Sequence, residues 1–284
     1  MRLLNFFHEG AVRTGLLGPN GVVDLAAAGL WHGAAPVKID DIDALKSKIN
    51  RASFPARCLN TLRFAPPVVA PEKIICVGLN YRRHALEAGF PIPATPVIFG
   101  KFANSLVGSG SHVALPHVDT RYDFEAELGV IIGRPARNVP VEVALDYVAG
   151  YCCANDLSAR GAQLATSQWM IGKMLDGFLP LGPYLVTTDA IKDPQTLGVR
   201  CWVNGELMQE SSTSDMIFSV AELIAFLSRY ATLKPGDLIV TGTPEGVLLG
   251  KESPIWLTAG DEVVVEIDQL GTLTNLLVAS EARA

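Results

Sequence analysis

The chain has 284 residues, 49% hydrophobic and 18% charged, so it can bury a full core and is not a disordered segment. Its 23 basic and 29 acidic residues give a net charge of -6 without any run of like charges, which excludes an electrostatic footprint for nucleic acid. Cys58, Cys76, Cys152, Cys153 and Cys201 lie in apolar contexts with no C-x-x-C spacing, and they read as buried thiols of a reducing compartment, not as disulfides or zinc ligands.

Residues 1–66 read as a small accessory module of short strands around turns: Arg2 to Phe7, Arg13 to Leu17, the turn Gly18-Pro19-Asn20-Gly21, then Val22 to Leu25, closed by a polar helix near Asp41 to Ile49. His8 and Glu9 interrupt the first apolar run too early for a signal sequence, and no stretch approaches the roughly 18 apolar residues of a membrane helix. A soluble, cytoplasmic protein is the expectation. The prolines of Ala65 to Pro71 predict an extended linker, and a second domain is expected over residues 72–284.

That second part opens with a short buried strand, Lys73 to Gly78, after which Asn80 is placed as the cap of a helix running to Ala88, with Gly89 closing it. His84 and Glu87 share one face of this helix. The pair is either an ordinary surface contact or a general base whose imidazole is oriented by a carboxylate. The proline-rich stretch Pro91 to Pro96 suggests a loop that lets the helix act as a lid. Val97 to Phe102 is a strand, Gly108 to Ser111 is a turn without a phosphate-binding pattern, and His112 and His117 match no metal spacing.

The most informative stretch is Tyr122-Asp123-Phe124-Glu125-Ala126-Glu127-Leu128-Gly129, which continues into Val130-Ile131-Ile132. As one strand it places Glu125 and Glu127 on the same face, about 7 Å apart. Burying two like charges costs several kcal/mol each unless a cation lies between them, so the pair is either a solvated face or part of a cation site. Val141 to Asp146 predicts a short helix, and Gly150 to Asn155 an apolar strand ending at Asp156, which is either a turn-former or a third carboxylate ligand. Lys173 stands alone in an apolar run, either snorkelling or aimed at an anion.

Ser219 and Glu222 form a capping box, and Val220, Leu223, Ile224 and Leu227 give the apolar stripe of a core helix to about Tyr230. The strand Leu238 to Thr241 delivers Gly242-Thr243-Pro244-Glu245-Gly246, glycine-flanked hydroxyls suited to close approach to a ligand. Asp261 to Asp268 and Thr272 to Val278 form an alternating hairpin with Val263, Val265 and Ile267 inward.

From about Lys73 onward the chain resembles the fumarylacetoacetate hydrolase family. The resemblance is carried jointly by Asn80-Tyr81 with His84 and Glu87, Asp123 to Leu128, Asn155 to Arg160 with Gln163, Gly172-Lys173 with Asp176-Gly177-Phe178, Gly182-Pro183, Asn204-Gly205-Glu206 with Gln209, and Thr241 to Pro244 with Gly246. It implies a mainly β fold with short helices (α+β), a mixed β-sandwich or β-roll catalytic domain, and a homodimer. It also implies a divalent cation (Mg2+, Mn2+ or Ca2+) held by Glu125, Glu127 and Asp156, and an oxygen-only ligand set suits such hard cations.

Within the family the chain resembles a bacterial acylpyruvase or 2-hydroxyhepta-2,4-diene-1,7-dioate isomerase, which implies a role in aromatic catabolism. The implied reaction is hydrolysis of a carbon-carbon bond in a 2,4-dioxo acid of the acylpyruvate or fumarylpyruvate type, releasing pyruvate and a carboxylic acid. His84 with Glu87 would activate water, Lys173 would complete the catalytic set, and Tyr81, Arg160, Gln163 and Thr243 would contact substrate. No nucleic-acid or membrane partner is implied. Alternatives within the family are hydroxymuconate-type isomerases or decarboxylases and oxaloacetate decarboxylases, which share the metal motif. A non-catalytic binding protein of the same fold would not require the His84 and Glu87 pair. Gly161 replaces a commonly acidic residue, and Leu79 a more polar one.

Overall fold

The computed structural model describes residues 1–31, 39–49 and 55–280. It is mainly β with short helices, and two of its sheets carry the architecture. The larger, of eleven strands, has the order Gly21–Asp24, Ala11–Gly18, Arg2–His8, Leu179–Thr187, Val148–Asn155, Ala126–Ile132, Leu238–Val240, Ile74–Gly78, Val97–Lys101, with two short strands pairing beside this path. The five-stranded sheet runs Glu206–Ser212, Gly198–Val203, Glu262–Ile267, Gly271–Ala279, His112–Leu115.

Ala126–Ile132 and Val148–Asn155, the central strands of the large sheet, are buried at every position, which accounts for their nearly unbroken apolar sequence. Glu262–Ile267 instead alternates, with Val263, Val265 and Ile267 buried and the residues between them more exposed. Its inward side chains share one core with Val130, Cys153 and Val186 of the large sheet, so the two sheets pack face to face. The helix Val220–Tyr230 has the capping box at Ser219 and Glu222 and buries Val220, Leu223, Ile224 and Leu227. Among the described residues, no helix is long and apolar enough to cross a membrane.

Three local expectations change. The acidic stretch is not one strand: Tyr122–Asp123 belongs to a separate two-stranded ladder with Ser158–Ala159, and pairing in the large sheet begins only at Ala126. Glu125 therefore lies in the break, its N–H donating to Asn155 Oδ1 at 3.0 Å. Asn80 does not cap the helix Arg82–Glu87; Tyr81 holds that position, while the Asn80 amide donates to Thr241 O and Phe218 O and accepts from Phe218 N–H. Ala65 to Val68 is buried, with Asn5 Nδ2 donating to Pro66 O and Pro67 O, so this stretch is packed rather than a free linker. The short helix expected from Val141 is present, as the 3-10 helix Val141–Tyr147. The N-terminal strands continue the large sheet, with Arg2 opposite Val186 and Leu3 opposite Leu185.

Candidate active site and metal centre

Glu125, Glu127 and Asp156 each offer a carboxylate oxygen, and these atoms all lie within 4.8 Å of one another. All three residues are buried, Asp156 completely. The backbone explains the meeting. Ala126 pairs with Asn155 and Glu127 with Ala154, so the break at Glu125 lies beside the end of Val148–Asn155, and Asp156 N–H donates to Glu125 O at 2.9 Å.

Three buried cations answer this charge. Lys173 Nζ lies 2.6 Å from Glu125 Oε2 and 2.9 Å from Asp156 Oδ2. Lys101 Nζ, fully enclosed, donates to Asp156 Oδ1 and to Leu157 O. Arg160 reaches Glu125 Oε1 at 2.8 Å through Nη1, which also donates to Gln163 Oε1 at 2.9 Å, and its Nε donates to Asp123 Oδ2 at 2.9 Å. Burial disfavours the Lys173 ammonium, but Asp156 and Glu125 outweigh burial and raise its pKa. Burial likewise opposes ionisation of Glu125, and Lys173 and Arg160 reverse that, holding its carboxyl well below the usual range.

Glu127 is the exception. Among the described residues it forms no ion pair; it accepts the Gly242 N–H at 2.7 Å, and burial together with Asp156 and Glu125 pushes its carboxyl well up. A carboxylate that protein cations leave unneutralised, converging with two others in an all-oxygen donor set, fits a hard dication. The charge argues the same way, because desolvating such a group costs several kcal/mol and a bound dication removes that penalty.

Glu125 and Glu127 line a cavity of about 390 Å³ together with His84, Glu87, Arg160, Gln163, Lys173 and Thr243, so eight of the ten residues singled out from sequence meet at one space. Its apolar wall includes Phe90, Phe99, Leu164, Trp169 and Leu249. His84 Nδ1 lies 3.2 Å from Glu87 Oε2, which leaves Nε2 as the nitrogen free to serve a ligand. Thr243 Oγ1 donates to Ala126 O at 3.0 Å and accepts from Gln209 Nε2 at 2.9 Å. Asp156, bound by both Lys101 and Lys173, is not among the lining residues. Tyr81 is fully buried, outside the lining, and its hydroxyl has no hydrogen-bond partner among the described residues.

Lys101 was not singled out from sequence, although a lone lysine ending the apolar run Val97 to Phe102 is the same signal that drew attention to Lys173. From the sequence Asp123 stands out only as part of a motif. It proves to be fully buried and to accept the N–H groups of Leu248 and Leu249 at 2.9 and 3.0 Å as well as Arg160. No local pattern in the sequence announces those backbone partners.

Residues 73–278 match the model of the fumarylacetoacetate (FAA) hydrolase C-terminal family. Among relatives, a mitochondrial oxaloacetate tautomerase of Bos taurus, FAHD2B, is 41% identical over 288 residues, covering 98% of this chain and 92% of that protein. Among solved structures, maleylpyruvate hydrolase from Sphingobium sp. SYK-6, in complex with manganese(II) and pyruvate, superposes with a TM-score of 0.81 at 32% identity, covering 99% of this chain and 100% of that one. The 5-carboxymethyl-2-hydroxymuconate delta-isomerase from Mycobacterium smegmatis gives a TM-score of 0.79 at 34% identity, with 99% and 100% covered. Two differently named activities thus stand on this architecture, and a third is named for a relative in sequence.

Proposed function

Because the chain belongs to the fumarylacetoacetate hydrolase family, we propose that it is a divalent-cation-dependent enzyme that enolises a 2-oxo acid, interconverting the keto and enol forms of oxaloacetate. The observation that carries this reading is the His84 and Glu87 dyad opening on the same cavity as Glu125 and Glu127. The name of the 41% identical bovine relative supports the substrate.

Glu125, Glu127 and Asp156 would hold a hard dication, which would supply Lewis acidity to a bound 2-oxo acid. His84 Nε2 takes the proton from the carbon beside the 2-oxo group and delivers it to the 2-oxo oxygen to give the enol, or makes the two transfers in reverse, while the Glu87 carboxylate at Nδ1 orients the ring and balances the imidazolium. Lys173 and Arg160 hold Glu125 in place and offset the charge of the three carboxylates, which helps admit an anionic substrate. Phe99, Leu164 and Trp169 limit water around the reacting carbon.

A second reading, hydrolysis of acylpyruvates with release of pyruvate, is favoured by the same apolar wall, which suits an acyl chain, and by the likeness to maleylpyruvate hydrolase. In that reading His84 takes its proton from water. The free thiols, four of the five buried, accord with a reducing compartment such as the cytoplasm, and the family resemblance implies a homodimer.

Decay of enol absorbance with oxaloacetate and with acylpyruvates, with pyruvate measured in parallel and Mg2+ or Mn2+ supplied, separates the readings. Fast decay for oxaloacetate without pyruvate is expected. Cleavage of acylpyruvates with oxaloacetate left at the buffer rate would instead establish the hydrolase, and a metal-independent reaction would defeat both. His84→Ala should cost about 10²- to 10⁴-fold in turnover, the usual contribution of a positioned acid-base group, with metal affinity retained. Glu127→Ala should abolish metal binding.

A further inference from the structure

Gly250 ends the 3-10 turn Leu248–Gly250 and lines the same cavity as the dyad. It is not among the residues with left-handed backbone, so its φ alone gives no reason for glycine there. The reason is space. A Cβ on Gly250 would lie 2.6 Å from Glu87 Cδ, 2.8 Å from Cγ and 2.9 Å from Oε2, all inside any real carbon contact. We infer that Gly250 is a positioning residue for the His84 and Glu87 dyad, its bare Cα forming the seat that sets where the Glu87 carboxylate stands. The inference rests on the catalytic role proposed for that dyad.

The seat has two further parts. Gly246 N–H donates to Glu87 Oε1 and Oε2 at 3.0 and 3.2 Å, and the turn itself is tied down, with Leu248 and Leu249 N–H bound to the buried Asp123 and Val247 fully enclosed. Gly246 has φ +98, and a Cβ there would meet Met208 O at 2.2 Å, so this segment cannot easily recoil. Glu87 is the end of a flexible, partly exposed side chain on a six-residue helix. Faced with a methyl group on residue 250, the carboxylate yields and the loop stays. Such a change costs the fold little but moves the carboxylate off its 3.2 Å contact with His84 Nδ1.

The test is a double-mutant cycle of Gly250→Ala and Glu87→Ala on the full chain with Mn2+, assayed on oxaloacetate and by direct Mn2+ titration and thermal unfolding. Gly250→Ala should lower kcat by about tenfold or more, within the range an acid-base group contributes, while KM and Mn2+ affinity stay within about twofold. In the Glu87→Ala background the same substitution should change kcat by less than about twofold, because the carboxylate it displaces is gone. A loss of equal size in both backgrounds would mean that the methyl group obstructs the cavity or the loop, and would overturn the inference, as would full activity of Gly250→Ala. A midpoint that falls equally in both backgrounds would also overturn it. Wild-type kcat in Glu87→Ala alone strikes the dyad itself, and so is told apart from a failure of the seat.

Discussion

Replacing Lys101 by Met tests the electrostatic account of the centre most directly. Lys101 is buried, donates to Asp156 Oδ1 and Leu157 O, and is absent from the residues lining the cavity, so its loss leaves the reacting space unaltered. Stripping a buried carboxylate of its cation costs about 3–5 kcal/mol. Asp156 would keep Lys173 at 2.9 Å, so about half that penalty, roughly 2 kcal/mol, is the working figure. In a chain of this size that lowers the unfolding midpoint by about 4–8 °C without metal.

With one cation fewer facing the same carboxylates, a dication has more charge to neutralise, so Mn2+ should bind Lys101→Met more tightly than wild type. At a free concentration of about 1,000 times Kd, binding contributes roughly 4 kcal/mol, enough to cover the deficit. Thermal unfolding in EDTA and across a Mn2+ series reads both effects. A variant as stable as wild type in EDTA, or one that gains less from Mn2+ than wild type does, would refute the charge argument.

Three other outcomes are expected. Burial raises the thiols of Cys76, Cys152 and Cys201 and pushes Cys153 up to about 12, so a disulfide reagent should titrate only Cys58 in the folded protein and all five after denaturation. Asp24 is buried, accepts from Ala26 and Ala27 N–H, and pairs with Arg13 and Arg57, and these partners outweigh desolvation to hold its pKa below the usual value. A depressed carboxyl stabilises above its unfolded pKa of about 3.9 and ceases to do so as pH falls through the folded value. Asp24→Asn should therefore cost about 1–3 kcal/mol at pH 7 in denaturant unfolding, and progressively less below pH 4. Replacing Ser219 by Ala removes the cap whose hydroxyl accepts Glu222 N–H, and about 1 kcal/mol should be lost in the same assay.

What was legible in the sequence was local or periodic. The alternation at Val263, Val265 and Ile267 and the box at Ser219 and Glu222 are each decided by a few neighbouring residues, and both stand as read. Charge inside an apolar run raised Glu125 and Glu127 as one of two readings, and only the family resemblance joined them with Asp156 as a ligand set. What was hidden depends on residues distant in the chain. Asn80 has the chemistry of a helix cap, yet its amide is drawn off by Thr241 and Phe218, 161 and 138 residues away. The break before Ala126 follows from Asn155 capturing the Glu125 N–H, and no turn residue marks it. Pro66 and Pro67 suggested a linker because nothing nearby reveals that Asn5 holds their carbonyls.

The parallel pairing of Ile74–Gly78 with Leu238–Val240 has a consequence for how the protein is made. A ribosome delivers the carboxylates at 125, 127 and 156 long before the strand that brings Gly242, whose N–H is the neutral anchor of Glu127. Until that strand is added, the acidic side chains lie beside an unfinished sheet with Ile74–Gly78 unpaired on that side. Contacts of such long sequence separation form late and slowly. The cation centre should accordingly mature only after Leu238–Val240 has emerged, and a nascent chain stalled before Leu238 should retain no more metal than any acidic peptide.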